Sequence, residues 1–169
     1  MYKKLLIVIF CLLCIGCGKK ESVNQFKKEY EKYNDKYFQL NLNEDDEVVY
    51  GTTSKINKII KSGTGVIFFG SPKDNLSRVV VDILLDVVNN TDLDHIYYLD
   101  NLDGITGIDN IESKKIPLVL FVLDGKIVSY HVGTVHDKVE LTDDEVVELY
   151  NLYSDGVHQV LQDACDESC

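Results

Sequence analysis

Thiols carry the widest chemistry in this sequence, and they are unevenly spread. Of five cysteines, Cys11, Cys14 and Cys17 crowd the start, while Cys165 and Cys169 stand at the very end. Two cysteines four apart share a face of a continuing helix, and at a frayed helix end they can reach disulfide geometry. Three chemistries are therefore open to Cys165-Asp-Glu-Ser-Cys169: a disulfide stapling the tail, a redox or partner-linking pair, and metal ligation. The flanking acids raise a thiol pKa, which favours the staple over a reactive pair. Metal ligation is the weakest, because His158 is the nearest imidazole and no ligand set at metal spacing surrounds it.

Other reactive constellations are sparse. His95, His131, His136 and His158 are scattered along the chain, and none has a Cys or Ser beside it to suggest a dyad. Asp100-Asn101-Leu102-Asp103-Gly104 resembles a calcium loop, but the EF-hand pattern would put its first ligand at Leu99. Gly63-Thr64-Gly65 precedes a strand, the wrong context for a phosphate loop. No metal and no cofactor are implied. The formal charge is −11 with no basic stripe, which argues against nucleic acid, whose phosphates require Lys and Arg.

The elements that would position any site follow from periodicity. Glu21–Asn34 reads as a helix with a Ser22/Gln25 capping box and an aromatic face of Phe26, Tyr30, Tyr33 and Tyr37, suited to docking on the domain. Val48–Tyr50 is a short strand. Gly51-Thr52-Thr53 opens a helix with Ile56, Ile59 and Ile60 on one face, ended by Ser62-Gly63-Thr64-Gly65, where Gly is able to take the left-handed cap conformation. Val66–Phe69 is wholly apolar, as a strand covered on both faces should be. A helix follows from Ser71 to about Asn89, with Ser71 as cap, Pro72 at the first helical position and Asp74 three after the cap. Its wet side is marked by Arg78, Asp82 and Asp86.

Asp94–Leu99 and Pro117–Leu123 are further strands, separated by a polar loop over Asp100–Asn110. Asp124-Gly125 signals a hairpin, with Lys126–Val132 as the antiparallel partner. Thr142 and Glu145 form a capping box for a last helix whose face is Leu149, Tyr150, Tyr153, Val157, Val160, Leu161 and Ala164. Strands alternating with helices, followed by a hairpin, predict an α/β mixed sheet with helices on both faces.

The first residues are expected to lie outside this fold. Tyr2-Lys3-Lys4 is basic, and Leu5–Ile15 is apolar, uncharged and too short to span a membrane permanently. Leu13-Cys14-Ile15-Gly16-Cys17 resembles a bacterial lipobox, with Cys14 where such boxes usually carry Leu. The resemblance implies cleavage before Cys17 and its lipidation. The mature chain would then be more acidic still, so lipid rather than charge would hold it on an anionic membrane.

Phe69-Gly70-Ser71-Pro72 at the strand-to-helix junction, Ile116-Pro117 at a strand start, the Asp-Gly hairpin and the βαβαββα order together resemble the thioredoxin fold. More narrowly, the chain is similar to exported thioredoxin-like proteins of Gram-positive bacteria grouped with bacteriocin-accessory disulfide proteins. The resemblance implies a signal peptide over residues 1–16, a tether and N-terminal helix over 17–47, and a thioredoxin-like domain over 48–169. The family's two cysteines would fall at Asp74 and Ser77. A carboxylate and a hydroxyl can neither attack a disulfide nor resolve a mixed one. The helix terminus that lowers a thiol pKa in that family would here stabilise the Asp74 carboxylate by about 0.3–1 kcal/mol. Pro117 matches the family's cis-proline, whose loop presents backbone to extended peptides.

The expected protein is thus a lipid-anchored module on the extracytoplasmic face of the cell membrane, redox-inactive at the usual site, binding an exported protein or peptide. The alternative is a thiol–disulfide oxidoreductase or isomerase working through Cys165 and Cys169. A third reading is an immunity or accessory factor for a secreted peptide.

Overall fold

The computed structural model describes residues 25–34, 48–133 and 141–166. Helix α1 (residues 25–31) is followed by β1 (Val48–Tyr50), α2 (Thr53–Ser62), β2 (Gly65–Phe69), α3 (Asn75–Asn89), β3 (Ile96–Leu99), β4 (Leu118–Leu123), β5 (Lys126–Val132) and α4 (Asp143–Asp166). The five strands form one mixed sheet in the order β1-β3-β2-β4-β5. β3 pairs in parallel with both β1 and β2, while β2–β4 and β4–β5 are antiparallel. The parallel pairs need crossovers, which α2 and α3 supply; the antiparallel pair β4–β5 needs only the tight Asp124-Gly125 turn, where both residues have positive φ.

Side chains of the central strands alternate between two cores, as the pleat demands. Val66, Phe68, Ile96, Tyr98, Val119 and Phe121 face one layer, built from α1, α3 and α4. Ile67, Phe69, Leu118, Leu120 and Val122 face the other, where Ile56, Ile59 and Ile60 of α2 meet Ile108 and Ile111. The segment between β3 and β4 therefore does more than connect: Ile108 and Ile111 are buried and complete the second layer. Every residue of β2 is buried, in keeping with its central place.

α1 docks by its aromatics. Phe26 and Tyr30 stack at 4.3 Å, and each meets Tyr98 edge-on, at 4.9 and 5.9 Å between centroids. Such pairs add about 0.5–1.5 kcal/mol to the burial term. Tyr50 donates to Glu29 at 2.6 Å, tying the helix to β1. The expected helix over Glu21–Asn34 is helical over 25–31 and leaves the helix in a turn, with Tyr33 N–H on the Tyr30 carbonyl. Ser22 and Tyr37 lie outside the described residues.

One helix end differs from expectation and another follows it. α2 is capped by Thr52, whose hydroxyl accepts from Lys55 N–H at 3.2 Å, but Gly63 ends it in extended rather than left-handed geometry. The reason is the next strand: the chain runs straight on into β2, and the Gly63 carbonyl accepts from Gly125 N–H at 2.8 Å. α4 starts as its capping box predicts. The Thr142 N–H donates to the Glu145 carboxylate at 2.7 Å, and the Glu145 N–H donates to the Thr142 hydroxyl at 3.3 Å. No helix among the described residues is long and apolar enough to cross a membrane.

Candidate functional site

The junction between β2 and α3 is held from behind by β3. Gly70 N–H donates to the Leu99 carbonyl at 3.2 Å, and the buried Tyr98 hydroxyl donates to the Gly70 carbonyl at 3.1 Å. Burial raises the Tyr98 pKa, so the phenol keeps the proton it donates. Ser71, Pro72 and Lys73 then turn instead of starting the helix: Asp74 N–H donates to the Ser71 carbonyl at 3.0 Å.

Asp74 is the N-cap of α3, which corrects the expected start at Ser71 by three residues. Its backbone is extended, and its Oδ2 accepts from the Ser77 N–H at 2.7 Å and the Ser77 hydroxyl at 2.6 Å. Both Ser71 and Asp74 are good capping types three residues apart. Ser71 is spent on the turn, its hydroxyl accepting from Lys73 N–H at 3.3 Å. Ser77 is wholly buried. The two positions expected to replace the cysteine pair are therefore in direct contact, carboxylate on hydroxyl, and the contact closes the first turn of the helix.

Arg78, expected on the wet side, is buried. Its guanidinium reaches back over the turn, donating to the Pro72 carbonyl at 2.9 Å and to Asn75 Oδ1 at 2.5 Å. The planar fork binds two acceptors that the turn leaves pointing the same way. Periodicity could not reveal this, because Pro72 belongs to the irregular segment ahead of the helix and Asn75 is its first residue.

Pro117 joins the site from the other side of β2. The Ile116–Pro117 peptide is cis. The Pro117 carbonyl accepts from Gly133 N–H at 2.8 Å, closing the mouth of the β4–β5 pair. A Cβ placed on Gly133 would stand 2.5 Å from Pro117 Cγ and 2.9 Å from Leu76 Cδ2. Pro117, Gly133 and Leu76 thus meet, and Leu76 lies between Asp74 and Ser77 in sequence. The first turn of α3 and the Pro117 loop form one continuous surface.

His131 forms a pair that the sequence reading missed. Its Nδ1 lies 2.8 Å from the Tyr153 hydroxyl, joining β5 to α4. Burial lowers the His131 pKa and raises that of Tyr153, which favours the neutral form of both. A signal was available: a Tyr on the apolar face of a helix needs a partner for its hydroxyl, and His131 alternates with Tyr130 toward the layer where α4 packs.

The remaining candidates are dispersed. Cys17 and Cys169 lie outside the described residues, and so does the side chain of Cys165 in the last turn of α4. The Asp100 loop is closed on itself, Asn101 donating to Asp100 at 2.6 Å and accepting from Asp103 N–H at 2.9 Å. Asp109 is held below the usual carboxylate range by the Lys114 ammonium, which donates to it at 2.8 Å. Among the described residues, no group of three His, Cys, Asp or Glu side chains could hold a metal ion. No family model matches the chain, and no curated protein matches it.

Proposed function

We propose that this chain is a lipid-anchored extracytoplasmic protein whose thioredoxin-like domain binds an exported protein or peptide without thiol chemistry at the usual site. The observation that carries the reading is the Asp74–Ser77 contact at 2.6 Å. Two side chains incapable of disulfide exchange fill the reactive slots, and their polar atoms are turned on each other to cap α3. The strand order β1-β3-β2-β4-β5, the helices on both faces and the cis-Ile116–Pro117 peptide beside Leu76 support the thioredoxin-like part. A surface bounded by Pro117, Gly133 and the start of α3 keeps the place where that family receives extended peptides. The anchor at Cys17 rests on the lipobox alone.

The test is insulin reduction by the protein with dithiothreitol as electron donor. The wild type is expected to give only the background rate, and the double substitution Asp74→Cys with Ser77→Cys to raise it. Turnover by the wild type that disappears in Cys165→Ser would overturn the reading in favour of exchange through Cys165 and Cys169. Binding is tested by crosslinking to secreted peptides, repeated with Ile116→Trp beside Pro117. Capture that is unchanged by this substitution would remove the Pro117 surface as the site.

A further inference from the structure

A cleft of about 630 Å3 lies away from Pro117, between the C-terminal half of α2, residues 106–111 and β5. It shares no residue with the surface of Asp74, Leu76, Pro117 and Gly133. Its volume is in the range of ligand sites, about 300–1,000 Å3. Ile60, Ile108 and Ile111 form an apolar floor, and Ile127 and Tyr130 form the β5 side. Tyr130 pairs in register with Leu120, so its ring stands on the α2 side of the sheet, and it remains 42% exposed.

The lip is basic. Lys58 and Lys61 are exposed, three apart on α2, and so on one side of the helix. No carboxylate lines the cleft, although the chain carries 28 acids against 17 bases. Among the described residues neither lysine is in an ion pair. The wall is also pre-set. Asn57 donates to the Gly104 carbonyl at 2.9 Å and accepts from Thr106 N–H at 2.9 Å, which ties α2 to the segment opposite.

The strand that supplies Ile127 and Tyr130 to the cleft is also an edge strand. β5 is last in the sheet order, and its outer side has no partner strand among the described residues. An unpaired edge offers N–H and C=O groups in strand register, which a peptide main chain can match and a small anion cannot. We propose that this cleft binds an extended acidic peptide, which pairs with the outer edge of β5 and sets carboxylates against Lys58 and Lys61. A strand added there points alternate side chains toward α2. Acids at alternate positions would meet the lysines, and Tyr130 would pack against the stems. The site is independent of the Pro117 surface and stands whether or not that surface binds.

The test is titration of the 15N-labelled full chain, in neutral detergent, with the capped hexapeptide Val-Glu-Val-Glu-Val-Glu. Saturable amide shifts are expected in residues 57–61 and 126–132. Affinity should fall about tenfold or more in Lys58→Glu with Lys61→Glu, while the exposed positions leave the fold, read by circular dichroism, unchanged. The hexapeptide Val-Lys-Val-Lys-Val-Lys should give no saturable shift. The proposal is overturned by shifts centred on residues 74–77 and 133, by equal affinity in the double variant, by the same shifts from free glutamate, or by no saturable shift at all.

Discussion

Asp74 and Ser77 are bound to each other twice: one carboxylate oxygen accepts both the N–H and the hydroxyl of Ser77, at 2.7 and 2.6 Å. The arrangement spends the polar groups of both residues on the helix start. It also explains how a buried hydroxyl is tolerated at a site where the resemblance to thioredoxin-like proteins would place a thiol.

Asp74→Ala is expected to destabilise the protein by about 0.5–2 kcal/mol, since it removes the cap and strands the Ser77 hydroxyl. Asp74→Asn should recover most of that loss. Urea midpoints of the three proteins measure it. An alanine variant as stable as the wild type would mean that the contact does not support the helix start.

Gly133→Ala should be costly for a different reason. The added methyl has nowhere to go between the Pro117 ring at 2.5 Å and Leu76 at 2.9 Å. Leu76 can swing, but the Gly133 N–H donates to the Pro117 carbonyl at 2.8 Å and keeps the two backbones, and so the ring, close together; a loss of about 1–3 kcal/mol is expected. The Leu76 methyl resonances should move with it. Unshifted Leu76 methyls in a stable variant would show that the two elements are not in contact.

His131 should make stability depend on pH. Burial lowers its pKa in the folded protein, while the unfolded chain takes up its proton near the usual value of about 6.5. Between those two values the unfolded state binds more protons, so stability rises with pH. The contribution is complete above about pH 6.5 and is lost as pH falls toward the folded value. His131→Gln should flatten this part of the profile. Urea midpoints between about pH 5 and 8 for both proteins test it; parallel profiles would exclude His131 as the source.

Cys17→Ala addresses the proposed anchor. Metabolic palmitate labelling of the chain should vanish in the variant, and the protein should leave the membrane fraction. Label that persists in Cys17→Ala would refute Cys17 as the anchor.

Much of the fold could be read ahead because its signals are local. The wholly apolar run at Val66–Phe69, the Ile56/Ile59/Ile60 face, the Asp124-Gly125 turn and the Thr142/Glu145 box each need only neighbours within a turn or two, and each is found where its pattern places it. The site was legible in part. Asp74, Ser77 and Pro117 could be singled out as positions, but Leu76, Gly133 and Arg78 could not, and Tyr153 on its apolar helix face signalled only that a partner was needed, not that it is His131. Their roles depend on partners 6 to 57 residues away or on a loop with no period of its own.

The sequence by itself determined which segments would be strands and helices, because hydrophobic periodicity and capping chemistry act over a few residues. It did not determine where α3 begins. Ser71 and Asp74 are both competent caps, and the choice was made by the Ser71–Asp74 turn, the Arg78 guanidinium behind it and the β3 bonds to Gly70. Tertiary structure alone also brought Pro117 against Leu76 and left a cleft between α2 and β5 with Lys58 and Lys61 on its lip. Those arrangements depend on strand order, and strand order is settled by how two faces of one sheet share the burial of the whole chain.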